Sequence, residues 1–176
     1  MKRKLQRVYF YLLKFLITRL AYIDSRRYMR YYNWLLRKMG LTIHGEARFI
    51  ALSVKFDDFD LITIGDRLVA SMNVRFLTHD YSYTTALISI GEKPQTDIGT
   101  LGRITVGENV FIGMNTILLP GTTIGNHCII GAGSVVRGTI PDYSVVSGNP
   151  AQVVGDIRQH AEKMKSKDYM RHIDKK

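Results

Sequence analysis

Apolar positions along this chain follow two different periods. Between residues 5 and 23 they recur at helical spacing: Leu5, Val8, Tyr9, Leu12, Leu16, Leu20 and Ile23 share one stripe, with Arg3, Arg7, Lys14 and Thr18 opposite. This predicts an amphipathic helix. Asp24-Ser25 offers a cap for a second helix, whose stripe is Tyr28, Tyr32, Leu35, Leu36 and Met39, and Gly40 supplies its stop. Further on the period becomes six: Val106, Ile112, Leu118, Ile124, Ile130 and Val136, with glycine following at 107, 113, 125 and 131. That spacing fits neither a helix nor an alternating hairpin. It fits a solenoid of short flat strands meeting at tight corners.

Two residues before each aliphatic lies a second inward position, occupied by Ile104, Val110, Thr116, Thr122, Cys128 and Ser134. The later ones are small, as a narrow prism requires, so Cys128 is expected to be a buried side chain and not a nucleophile. A weaker register at Ile64, Ala70 and Phe76 extends the pattern upstream. Residues 41–79 are therefore expected to form the first coils and 104–150 the later ones. Between them, residues 80–103 have no register and contain Gly91, Pro94 and Gly99. An insertion of that length on a rigid scaffold is often functional. His79 stands at its threshold, in the stretch RFLTHDYSY.

Charge changes the picture at one end only. The net +10 comes from residues 1–40, which hold eleven Lys/Arg against one acid, Asp24, while the remainder balances fourteen against fourteen. Nine of the eighteen aromatics lie in the same segment. Such a segment suits an anionic lipid surface, or a solvated face over a buried stripe. A nucleic-acid role is not expected, because no binding module accompanies the charge. The run VYFYLLKFLITRLAYI is interrupted by Lys14 and Arg19 and is too short to span a bilayer. With a single cysteine, no disulfide framework and no signal peptide expected, the chain reads as cytoplasmic, in contact with the inner face of the membrane through residues 1–40.

The stretches ITVGENVFIGMNTILLPGTTIGNHCIIGAGSVV and IPDYSVVSGNPAQVV, with a histidine before an extended loop, resemble the hexapeptide-repeat acyltransferases. The resemblance covers roughly residues 41–154 and is strongest for the branch that O-acetylates maltose, galactosides, Nod factors and capsular polysaccharides. It implies a mainly β fold, a left-handed parallel β-helix, with amphipathic helices before it and a short helical tail over 155–176. Handedness follows from the resemblance alone, since parallel crossovers in general turn right-handed. It also implies a homotrimer with acetyl-CoA between adjacent prisms, the loop at 80–103 reaching toward a neighbour, a sugar or glycan acceptor, and no metal.

Under that resemblance His79 takes the position of a general base, a task suited to neutral imidazole. Acceptor and acetyl-CoA bind together, so no covalent intermediate is needed. Asp80, Tyr81 and Tyr83 are the candidates for orienting the imidazole or contacting the sugar, and Asp57, Asp58 and Asn73 for holding the sugar. The acetyl-CoA candidates are Phe111, Gly113, Met114, Ala132, Gly133, Ser134, Arg137 and Arg158. The chain departs from its relatives at several points. Arg137-Gly138 stands where many carry Thr-Lys, Gln152 replaces an arginine, and Ala51 or Ser53 occupies the place of an acceptor-assisting asparagine. His44, His127, His160 and His172 are given no catalytic role. A zinc carbonic anhydrase of the same fold would need three histidines on neighbouring coils, and that spacing is missing. The competing possibility is a non-catalytic solenoid scaffold or binding protein.

Overall fold

The computed structural model describes residues 2–165, with side chains from residue 8 onward; the predicted roles of Leu5, Arg3, Arg7 and His172 lie outside the described part. Two helices come first, α1 (Lys2–Ile23) and α2 (Ser25–Lys38). The first coil then runs through β1 (Thr42–Ile43), β2 (Phe49–Ile50) and β3 (Lys55–Phe56), and the second through β4 (Ile62–Ile64), β5 (Val69–Ala70) and β6 (Arg75–Phe76). An excursion follows, made of β7 (His79–Asp80), α3 (Ser82–Ser89) and β8 (Thr100–Leu101). Coiling resumes with β9 (Ile104–Val106), β10 (Phe111–Ile112) and β11 (Ile117–Leu118), then β12 (Thr123–Ile124), β13 (Ile129–Ile130) and β14 (Val135–Val136). The last, partial coil holds β15 (Thr139–Ile140) and β16 (Ser144–Gly148), and β17 (Ala151–Asp156) folds back before α4 (Ile157–Lys165).

Every third strand lands on the same side, so three parallel sheets enclose a prism: β1-β4-β9-β12-β15, β2-β5-β10-β13-β16 and β3-β6-β11-β14. The aliphatic register becomes three vertical columns. Ile43, Ile64, Val106, Ile124 and Ile140 are paired rung by rung, as are Ile50, Ala70, Ile112, Ile130 and Val146, and Phe56, Phe76, Leu118 and Val136. All but Phe56 are buried. The second inward set, from Ile104 to Ser134, is buried as expected. Its hydroxyls bond to backbone carbonyls, Thr122 to Leu119 at 2.7 Å and Ser134 to Gly131 at 2.6 Å, which satisfies polar groups that have no water to meet. Burial pushes the Cys128 thiol up, and its S–H lies 3.2 Å from the Pro141 carbonyl.

The weak upstream register has a geometric cause. Ile112 pairs with Ile130, eighteen residues on, whereas Phe56 pairs with Phe76, twenty on, the extra residues being taken up at wider corners such as the short 3₁₀ turn Phe59–Leu61.

Helix α2 closes the lower end of the prism. Asp24 Oδ1 accepts from the Arg26 and Arg27 amides, and the predicted stripe of Tyr28, Tyr32, Leu35 and Leu36 is fully buried. Tyr28 donates its hydroxyl to the Ile50 carbonyl at 2.7 Å, and Asn33 exchanges two hydrogen bonds with the Ala47 backbone. The N-terminal segment and the coils thus share one core.

Helix α1 corrects the expectation. The residues it turns inward are Phe10 and Ile17, with Leu13, Leu20 and Ala21 partly covered, while of the predicted stripe's described residues only Leu20 is partly covered and Val8, Tyr9, Leu12, Leu16 and Ile23 are exposed, Leu12 and Leu16 at 63% and Ile23 at 80%. Both sides of α1 are apolar, so periodicity did not distinguish them; the packing of Phe10 edge-on against Phe59, 5.2 Å between centroids, does. The loop at 80–103 also has more order than its composition suggested, and β17 carries the sheet to Asp156, past the expected boundary at 154. No helix among the described residues is long and apolar enough to cross a membrane.

Candidate active site

His79 is placed by the stacking of two coils. Because Phe56 and Phe76 are level in adjacent strands, Asp57-Asp58 and Thr78-His79 leave their sheet at the same corner, one coil apart. The Asp57 amide donates to the Phe76 carbonyl, and buried Thr78 locks the corner: its hydroxyl donates to Asp58 Oδ2 at 2.8 Å and accepts from the Asp58 amide at 3.2 Å. The same carboxylate oxygen lies 3.2 Å from His79 Nδ1, with Asp57 Oδ2 at 3.7 Å. A carboxylate only accepts, so the contact assigns the proton to Nδ1 and leaves the Nε2 lone pair free. Nε2 has no hydrogen-bond partner among the described residues.

The main chain of the histidine is held from the other side. β7 pairs antiparallel with β8, His79 facing Leu101, and the Gly102 amide donates to the Thr78 carbonyl at 2.8 Å. The six-residue rhythm stops here because the chain must leave the prism to form this ribbon, and the ribbon turns the imidazole outward.

The remaining acceptor-side candidates divide. Tyr81 sets its ring 5.3 Å from the imidazole and is more than half exposed, as is Tyr83. Asp80 turns away: Oδ1 accepts the Ser82 amide at 2.8 Å, and that bond holds the carboxyl below the usual carboxylate range while it starts α3. Orientation of the imidazole therefore belongs to Asp58 and not to Asp80. Asn73 lies at the opposite corner of the same sheet, in a left-handed conformation, bonded to Ser53 and Asn115.

The candidates for the acyl donor also separate. Phe111 and Met114 are exposed at 44% and 40%, beside exposed Ala132 and Gly133. Gly133 is left-handed, φ +71°, with open space where a side chain would be. Two candidates are corrected. Gly113 is buried, and a Cβ there would come within 2.5 Å of the Ala132 amide, so it permits coil stacking; Ser134 lies inside the prism with its hydroxyl spent on Gly131. Arg137 is exposed at the corner after β14, on the same prism edge as His79. Arg158 is committed elsewhere. It clasps Asp156, whose carboxyl it pulls down to about 2, and lies 4.5 Å over the Tyr143 ring.

Thr78, and the role of Asp58 toward the imidazole, were missed. The signal was available as coil arithmetic: the twenty-residue spacing from Phe56 to Phe76 carries Asp58 onto Thr78. Among the described residues no group of three His, Cys, Asp or Glu side chains is placed to hold a metal ion.

Comparison with known proteins gives the family and the fold. Residues 103–138 match the family described as bacterial transferase hexapeptide (six repeats). The chain is 38% identical over 144 residues to Protein CapG of Staphylococcus aureus, covering 79% of this chain and 80% of that one. It is 33% identical over 131 residues to the galactoside O-acetyltransferase of Escherichia coli strain K12, covering 74% and 62% respectively. In fold it is similar to a galactoside acetyltransferase solved in complex with coenzyme A, with a TM-score of 0.66 at 24% identity over 96% of this chain and 88% of that one.

Proposed function

From the premise that the chain belongs to the hexapeptide-repeat transferase family and is an acyltransferase, we propose that it moves an acetyl group from acetyl-CoA to a hydroxyl of a sugar or surface-glycan intermediate. The observation that carries this reading is the Asp58–His79 pair, which leaves one imidazole nitrogen free at the edge of a rigid prism. His79 Nε2 takes the proton from the acceptor hydroxyl as its oxygen attacks the thioester carbon. As the C–O bond forms and the C–S bond breaks, the same nitrogen returns the proton to the departing thiolate. Asp58 is a positioning residue, holding the tautomer that makes Nε2 the base.

The coil is left-handed in this reading. The active unit is a trimer, in which Phe111, Met114, Ala132 and Gly133 of one prism face a neighbour and acetyl-CoA lies between. Support comes from their position: within one chain these residues and His79 lie toward different edges of the prism, so a cleft holding both needs a second chain. The enzyme works on the cytoplasmic side of the membrane. The outward face of α1, with Val8, Leu12, Phe15, Leu16 and Ile23 exposed in a segment of eleven cations and one acid, is suited to rest on anionic lipid.

Acetyl-CoA titrated calorimetrically should bind at about one site per chain. Acetyl-CoA-dependent modification of glycan acceptors should then be lost in His79→Ala with donor binding kept. Undiminished transfer by that variant would refute the base. Cosedimentation with anionic vesicles tests the lipid contact; equal recovery in the supernatant with and without vesicles would refute it.

A further inference from the structure

Between α1 and the first coil lies a cavity of about 390 Å³ whose lining includes Phe10, Tyr11, Phe59, Lys14, Lys55 and Asp57. Its aromatic side is ordered, Phe59 packing against both Phe10 and Phe56 with centroids 5.2 and 5.8 Å apart. Its cationic side is unusual. Lys14 is half-buried on the inward face of α1, its ammonium 5.6 Å from the Phe10 ring and 5.7 Å from the Tyr32 ring. Burial, and then the Lys55 charge beside it, holds the Lys14 ammonium below the usual lysine range.

Arg75 stands level with Lys55 on the adjacent strand, both exposed. Like charges side by side on neighbouring strands repel. Among the described residues none of the three forms an ion pair. Two lysines thus line an aromatic-walled cavity, one of them partly desolvated, with Arg75 exposed on the neighbouring strand, and a bound anion would offset that cationic charge. The cavity also reaches the catalytic corner, since Asp57 both lines it and lies 3.7 Å from His79 Nδ1.

We propose that this cavity is the acceptor subsite and that it selects a sugar bearing a negatively charged group, a phosphate ester or a carboxylate, held by Lys14 and Lys55 with Arg75 beside them. The sugar ring lies on the aromatic wall, at the side of the cavity that Asp57 joins to the His79 corner. This rests on the transferase reading and narrows its substrate class. Neutral sugars such as simple galactosides are poor acceptors.

The test is binding of matched sugars to the full chain without acetyl-CoA: methyl glucoside against glucose 1-phosphate, UDP-glucose and glucuronate, at low and high salt. At least one charged sugar should bind about tenfold tighter than the neutral one, a margin that shrinks as salt rises. A phosphate-bearing sugar in the lead identifies a phosphate ester; glucuronate in the lead identifies a carboxylate. The margin should fall to about twofold or less in Lys14→Met and in Lys55→Met. Lys14→Met should unfold at the same temperature or higher, because it removes a desolvated charge. If it unfolds lower, the exposed Lys55→Met carries the test. Equal binding of neutral and charged sugars, no binding of any charged one, or a margin that survives both variants overturns the proposal. His79→Ala should keep the margin, so loss of the base reading and loss of the anion subsite are separate results.

Discussion

His79 and His127 occupy comparable places and differ in one respect that matters. Each leaves a corner of the prism with its side chain about one-third exposed, 33% and 34%. Each has a carboxylate beside it, Asp58 at 3.2 Å and Glu108 at 3.6 Å, and a tyrosine ring close by, Tyr81 at 5.3 Å and Tyr143 at 5.1 Å. At His127, however, no lone pair is left over. Asn109 Nδ2 lies 3.1 Å from Nδ1 and can only donate, so the ring proton is on Nε2, toward Glu108. The ring also stacks flat on Tyr143, at 16°, within an unbroken repeat. His79 has the opposite tautomer, a free Nε2 and a broken repeat. Proximity to a carboxylate is therefore no mark of a base; a lone pair left over at an opening is.

The largest test of this contrast replaces each imidazole. His79→Asn should lower kcat by about 10²- to 10⁴-fold, and His127→Asn, which tolerates the left-handed corner, should leave it within about twofold. Similar losses in both would break the comparison. The carboxylates come next. Asp58→Asn should cost about tenfold in kcat, roughly 1.4 kcal/mol, without changing acetyl-CoA affinity, while Glu108→Gln should be silent in the same assay.

The glycines beside the two sites should divide stability from function. A Cβ on Gly107 would meet Asn126 Oδ1 at 2.5 Å and the Gly125 carbonyl carbon at 2.7 Å, so Gly107→Ala should cost about 1–3 kcal/mol in chemical unfolding with kcat unchanged. On Gly99 it would meet the Tyr81 ring at 2.7 Å. That exposed ring can move, and Gly99→Ala should raise the acceptor KM about threefold with little loss of stability.

The smallest effect is a pH one at the His127 end. Asp156, held at about 2 by Arg158, contributes stability fully present above the ordinary carboxylate pKa and lost as pH falls through about 2. Thermal melts of the native chain and Asp156→Asn should differ slightly at neutral pH and converge in strong acid. A difference that persists there would assign it to packing.

Several features were legible before any coordinates because they are local or periodic. The six-residue register gave the prism columns, and the run from Thr116 to Ser134 gave its narrow interior. Asp24 and the Tyr28 to Met39 stripe marked α2, which has a single apolar side. His79 stood out as the residue at the break. The inward face of α1 was not legible, since apolar residues lie on both sides of the helix and only contact with Phe59 selects one. Ser134 and Gly113 looked like donor contacts in a motif, yet one points inward and the other separates two backbones. Asp80, adjacent to the histidine in sequence, turned to Ser82, and the partner came from twenty-one residues away.

By itself the sequence determined the repeat, because each hexad must bury one aliphatic per prism side regardless of what stacks on it. It also determined where the repeat stops. The tertiary structure alone decided which groups meet at that stop and beside it: the Asp58 carboxylate under the His79 ring, and Lys14 of α1 near Lys55 of the first coil at the cavity. Those meetings depend on how many residues each corner absorbs and on which side of a two-sided helix finds a partner. Both are set by packing between segments distant in sequence, which no local period encodes.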